Sequence, residues 1–150
     1  MSQRILVPLD GSPLAELALN EALALAELPD STVIFLHVVP QIEDVISGGG
    51  EIITIDQQWE IRKGHAYDYL RAISQRAEWQ QVKRESVVQL GDPAQVILDF
   101  ARQHDIDRII VCTHGRTGLS RWVYGSIARK VLEAADRTVV LVRARIAAGA

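Results

Sequence analysis

The chain lacks most of the usual devices for covalent or metal-built stability. Its 150 residues hold one cysteine, Cys112, which excludes an internal disulfide framework and fits a reducing compartment. Aromatic residues make up only 5%, and no run approaches the roughly 18 apolar residues of a membrane span. The start, MSQRILVPLD, breaks a short apolar run at Pro8 and does not read as a signal peptide. Basic residues are not in excess: 16 Lys+Arg against 19 Asp+Glu leave −3, which argues against a nucleic-acid surface. Neither GxxxxGK[ST] nor GxGxxG occurs, so a P-loop and a dinucleotide fingerprint are both excluded. Asp10 has no second aspartate two residues on, as an aspartyl-phosphate phosphatase requires. His37, His65, His104 and His114 share no metal-ligand spacing, and no catalytic set is legible. These absences describe a soluble, cytoplasmic protein with no membrane or nucleic-acid partner.

What is present is an apolar content of 48% in an alternating α/β pattern. Ile5-Leu6-Val7 reads as a strand buried on both faces. Ser12 and Pro13 then give an N-cap and first helical residue, with Leu14, Leu17, Ala18, Leu25 and Leu28 as the apolar stripe. A strand over 32–39 follows, then a helix over 57–79 carrying Ile61, Ala66, Tyr69, Leu70, Ile73 and Ala77. Strands over 87–90, 109–112 and 138–142 alternate with two more helices. One begins at Asp92-Pro93 and carries Ile97, Phe100 and Ala101; the other carries Val123, Ile127, Val131 and Ala135. Right-handed crossovers between such strands give an open, mostly parallel sheet in one domain over 1–150. Residues 40–56 read as a long loop with Gly48-Gly49-Gly50 and several isoleucines, a flexible insertion or, secondarily, a lid or interface.

Open parallel sheets bind ligands beyond the carboxyl ends of their strands. Asp10, Val38 and the segment CTHGRTGLSRWVYGS over 112–126 all fall there. Gly115, Gly118 and Gly125 suit close backbone approach, and Ser126 stands where a helix begins, a place for an anion. Residues 108–132 hold Arg108, Arg116, Arg121, Arg129 and Lys130 and no acid, so this segment carries +5 against −8 for the rest. Arg129 and Lys130 read as a solvated helix face.

At this segment the chain resembles the universal stress proteins of the UspA type. Their phosphate motif is G-2x-G-9x-G-[S/T]; here Gly115 is followed after nine residues by Gly125-Ser126. ILVPLDGS, LHVV, GDPAQVILDFA and TVVLV extend the likeness along the chain. The resemblance implies an adenine-nucleotide alpha-hydrolase-like fold with strand order 3-2-1-4-5. It also implies a homodimer joined through the last strand, Val139, Val140, Leu141 and Val142. It assigns Asp10 to the ribose, with Pro8 and Leu9 beside it, and Val38 to the adenine. Gly115, Gly125 and Ser126, with Thr113, His114 and Arg116, then cradle the phosphates. The implied ligand is ATP with Mg²⁺, or ADP or AMP, in a regulatory protein of the stress response with at most slow hydrolysis. One departure stands out: Cys112 occupies the first motif glycine, which favours fewer phosphates or a module of the same fold that binds no nucleotide.

Overall fold

A computed structural model describes residues 2–41, 45–46, 52–113 and 125–144, with 45–46 and 52–53 described by their backbone alone. Seven strands and five helices are placed. The strands are β1 (Gln3–Pro8), β2 (Ser31–Val39), β3 (Val45–Ile46), β4 (Ile52–Ile53), β5 (Lys83–Leu90), β6 (Arg108–Thr113) and β7 (Thr138–Arg143). The helices are α1 (Pro13–Glu16), α2 (Ala18–Leu25), α3 (Ile55–Ser74), α4 (Pro93–Gln103) and α5 (Ser126–Ala134). Five strands form one parallel sheet in the order β5-β2-β1-β6-β7. With the small antiparallel pair β3-β4 set aside, this is the expected order 3-2-1-4-5.

Side-chain alternation along the strands feeds two cores, one on each face. Ile5, Val7, Val33, Phe35 and Ile110 pack with Ala18, Leu19 and Ala22 of α2 and Ala66, Leu70 and Ile73 of α3. Leu6, Ile34, Leu36, Val38, Ile109 and Val111 pack with Ala94, Ile97, Phe100 and Ala101 of α4 and Ala128 and Val131 of α5. Strands covered on both faces have no polar side, which is why their sequences are continuously apolar.

Local signals place several helix starts. Ser12 Oγ accepts from Ala15 N–H at 3.2 Å with Pro13 inside the first turn. Asp92 caps α4 through Gln95 N–H at 3.1 Å. Thr54 and Gln57 form a reciprocal capping box, so α3 begins at Ile55 and takes the end of the segment read as a loop over 40–56. Five apolar assignments need correction. The first stripe is broken between α1 and α2, leaving Leu17 and Leu28 exposed while Ala18, Leu19 and Ala22 are buried. Ile61 is 55% exposed on α3, which stops at Ser74, and Ala77 opens a separate 3₁₀ turn. On α5 it is Ala128 and Val131 that are buried; Ile127 is exposed, and Val123 lies outside the described residues. In each case a 3.6-residue period fits two neighbouring stripes, and packing against the sheet selects one. Among the described residues, no helix is long and apolar enough to cross a membrane.

Candidate functional site

The strand order reverses at β1: β2 and β5 are added on one side and β6 and β7 on the other, all of them parallel. Loops leaving β1 and β6 therefore diverge, and a crevice opens between them. A cavity of ≈ 440 Å³ occupies this place, within the range of about 300–1,000 Å³ usual for small-molecule sites. Its walls include Pro8, Leu9 and Asp10 at the end of β1, Leu36 to Val38 of β2, Val111 and Cys112 of β6, and Gly125 to Ala128 at the start of α5, with further residues from α1 and α4.

At one end stands Asp10. Its Oδ1 accepts from Ser12 N–H at 2.8 Å, and Gly11 between them has φ +87, a turn that favours glycine. This exposed carboxylate is thereby held at the cavity wall, able to accept from hydroxyl groups. At the other end is the start of α5. Gly125 is its N-cap and supplies no side-chain hydrogen bond, whereas Ser12, Thr54 and Asp92 cap α1, α3 and α4. The first N–H groups of α5 thus have no capping side chain among the described residues and lie beside the cavity, where the helix dipole favours an anion. Gly125 has φ −56, which any residue adopts, and a Cβ built there would meet nothing within 4 Å among the described residues. Its missing side chain leaves open space rather than relieving strain.

Between these ends the walls are mostly apolar. His37 is half-buried; burial lowers its pKa from the ordinary 6.5, while the charge of Asp10 and the Leu9 backbone act in the opposite direction. Its Nδ1 is buried without a hydrogen-bond partner among the described residues. The Cys112 thiol points back toward α1, with Sγ 4.0 Å from the Ala15 carbonyl oxygen. Burial pushes its pKa up to about 11, which makes it a neutral packing group.

Of the sequence-predicted site residues, Pro8, Leu9, Asp10, Val38, Gly125 and Ser126 line the cavity together. Thr113 does not: its side chain is 1% exposed, with Oγ1 lacking a partner among the described residues. Alternation along β6 turns it to the same face as Ile109 and Val111, away from Cys112. His114, Gly115 and Arg116 lie outside the described residues. The charge reading holds for Arg129 and Lys130, which are exposed on α5 as a solvated helix face, and is corrected at Arg108; Arg116 and Arg121 lie outside the described residues. Arg108 sits at the amino end of β6, bonded to Gln3 Oε1 at 2.7 Å, and Arg129 pairs with Glu133 at 3.0 Å; neither these nor Lys130 lines the cavity. Ser12, Leu14, Ala15, Pro93 and Ile97 are wall residues that the sequence pattern assigned only to helices. Their apolar or capping character carries no separate signal for a ligand.

A five-stranded parallel sheet with helices on both faces, and a crevice at its carboxyl end between a carboxylate and a helix start, defines an open α/β fold. The universal stress protein family model matches residues 1–143, and the chain belongs to that family. It is 31% identical over 144 residues to universal stress protein MJ0531 of Methanocaldococcus jannaschii, covering 94% of this chain and 82% of that protein. The solved structure of MJ0577, also from Methanocaldococcus jannaschii, matches with TM-score 0.79 and 27% identity, covering 98% of this chain and 99% of that one. UspA from Lactobacillus plantarum matches with TM-score 0.75 and 26% identity over 94% of this chain and 97% of that one.

Proposed function

We propose that this protein is an adenine-nucleotide-binding regulatory homodimer of the cytoplasmic stress response. The observation that carries this reading is the single ≈ 440 Å³ crevice joining the Asp10 carboxylate to the uncapped start of α5. Asp10 would accept from ribose hydroxyls, Val38 would pack against the base, and Gly125 and Ser126 would hold phosphate through backbone N–H and hydroxyl donors. Universal stress proteins solved with cAMP, with AMP (from Arabidopsis thaliana) and with dAMP (from Archaeoglobus fulgidus) share the fold at 19%, 17% and 21% identity. They support an adenine nucleotide as the ligand class.

ATP with Mg²⁺ is the proposed ligand, with ADP and AMP as shorter alternatives. The phosphate end is where this chain departs from its family's motif. Cys112 keeps the backbone N–H of the first motif glycine but adds a side chain to the crevice wall. That same cysteine favours a second reading, a dimeric protein-interaction module that binds no nucleotide. No catalytic role is assigned, and ATP hydrolysis is at most slow.

Dimerisation is proposed through β7, an edge strand whose Val139, Val140, Leu141 and Val142 are all only partly buried. An apolar edge of this kind is a template for a second copy. A downstream protein would read the state of the dimer.

Titration calorimetry of the purified protein with ATP·Mg²⁺, ADP and AMP tests the nucleotide reading. Saturable heat with at least one of them is the expected result; no heat at millimolar ligand leaves the interaction module. Val140→Asp should yield monomers by light scattering, and an unchanged dimer would overturn the β7 interface.

A further inference from the structure

The nucleotide reading leaves a second cavity unused. It has a volume of ≈ 360 Å³ and opens on the other side of β2, between that strand and α3. Arg62, His65 and Tyr69 stand on its α3 wall at spacings of three and four, which brings them onto one helix face. His37 of β2 faces them, with its ring centroid 5.9 Å from that of Tyr69 in an edge arrangement. Gly11 and Pro40 complete the rim.

Three features give this cavity a chemical character. First, among the described residues its walls include no aspartate or glutamate, and the Asp10 and Glu16 carboxylates that act on His37 and Tyr69 stand outside them. Second, Arg62 makes no hydrogen bond or ion pair among the described residues, whereas every other described arginine side chain is engaged, from the Arg76–Glu16 pair at 2.8 Å to Arg84 on the Ser74 carbonyl at 2.8 Å. Third, the His37 Nδ1 is buried with no partner among the described residues. Burial and the neighbouring Glu16 carboxylate hold the Tyr69 phenol protonated, so it remains a donor.

A guanidinium, two imidazoles and a phenol can present more N–H and O–H donors than a carboxylate has oxygens, and they suit a phosphate group better. A cation is disfavoured by the unpaired guanidinium, and the described residues contain no cluster of three or more metal-ligating side chains. The volume exceeds that of an inorganic ion and suits a small phosphorylated metabolite.

We propose that the cavity between β2 and α3 is a second binding site, for a small phosphate-bearing anion held by Arg62 and His65, with His37 and Tyr69 at its inner wall. It shares His37 and Pro40 with the crevice, but Arg62 and His65, which hold the anion, do not line the crevice, so the site does not depend on the nucleotide reading.

Inorganic phosphate is the probe. Added at constant ionic strength against a chloride control, it should produce saturable NMR shifts of the His65 and His37 imidazole resonances. Arg62→Ala should weaken this phosphate affinity about tenfold, as expected when a charged hydrogen-bonding partner is removed. His65→Gln should weaken it less, and nucleotide titration into the crevice should be unchanged in both variants. Arg62 and His65 are exposed, so neither substitution disturbs the core. Shifts that chloride reproduces, that fail to saturate, or that survive Arg62→Ala unchanged would overturn the proposal. So would phosphate shifts confined to the Gly125 and Ser126 amides, which would place the anion in the crevice alone.

Discussion

The two cavities at the carboxyl end of the sheet share His37 and Pro40 as wall residues but are built from opposite materials. The crevice beside β1 and β6 is lined mainly by aliphatic side chains, with its polarity concentrated at Asp10 and the α5 start. The cavity beside α3 has a wall of cationic and hydrogen-bonding side chains on a long helix. Strand alternation makes this division possible: Leu36 and Val38 point toward α4 and α5, while His37 and Val39 point toward α3. In the proposed reading one strand would furnish a wall for an apolar base on one side and donors for an anion on the other. The crevice would then recognise charge through backbone and the α3 side through side chains, so substitutions should separate them cleanly.

The largest separation is expected from Gly125→Leu. The ordinary backbone conformation and open space at this position let the fold accept a side chain, which then fills the crevice. Nucleotide affinity should fall about 100-fold or more by calorimetry, as steric overpacking of a few kcal/mol implies, with thermal unfolding and phosphate binding at Arg62 unchanged. Loss of both binding activities would show that the cavities are one site.

Cys112 provides a reporter inside the crevice. Its pKa, raised from 9.0 to about 11, leaves about 100-fold less thiolate at pH 8, so alkylation should be slower by about that factor than in the unfolded chain. Nucleotide should slow it further, whereas inorganic phosphate at the α3 cavity should not. Protection by phosphate alone, at concentrations that occupy only the α3 cavity, would break the distinction.

Asp10→Asn is a smaller perturbation that reaches both cavities. Nucleotide affinity should fall about tenfold through loss of a charged acceptor. The same change removes the charge that raises the His37 pKa, so the imidazole should titrate still lower by NMR. Because His37 is kept neutral in the fold, the unfolded chain takes up its proton first. Its contribution to stability is therefore complete above the ordinary value of 6.5 and is lost as pH falls through it. Urea titrations at pH 7.5 and pH 5 should show this loss, and Asp10→Asn should enlarge it. Equal pH dependence in the two proteins would mean that Asp10 does not act on His37.

Much of this organisation was legible before any coordinates. Pro13 after Ser12, Pro93 after Asp92 and the uninterrupted apolar run of β2 announce their elements through local chemistry, because caps and double burial act within a few residues. That Asp10, Val38, Gly125 and Ser126 would meet at one crevice was legible through their place at strand and helix ends and through the family motif. The burial of Thr113 was not, because β6 runs one residue beyond Cys112 and takes Thr113 into the packed sheet, outside the crevice lining. Nor was the fate of the +5 segment, since net charge along the sequence does not say at which end of a strand each base emerges.

By itself the sequence determined the order of the five parallel strands with their connecting helices and the chemical groups available at the sheet's carboxyl end, but not the β3-β4 pair or the division of the first helix into α1 and α2. Those features follow from periodicity, capping and crossover handedness, all of which are local or nearly so. Only the tertiary structure decided which groups meet. Ser12, Pro93 and Cys112 come to one crevice, and Arg62 to His37 across a second cavity, because sheet register and helix docking join residues far apart in the chain. Such contacts depend on packing between elements, and no short window of residues encodes them.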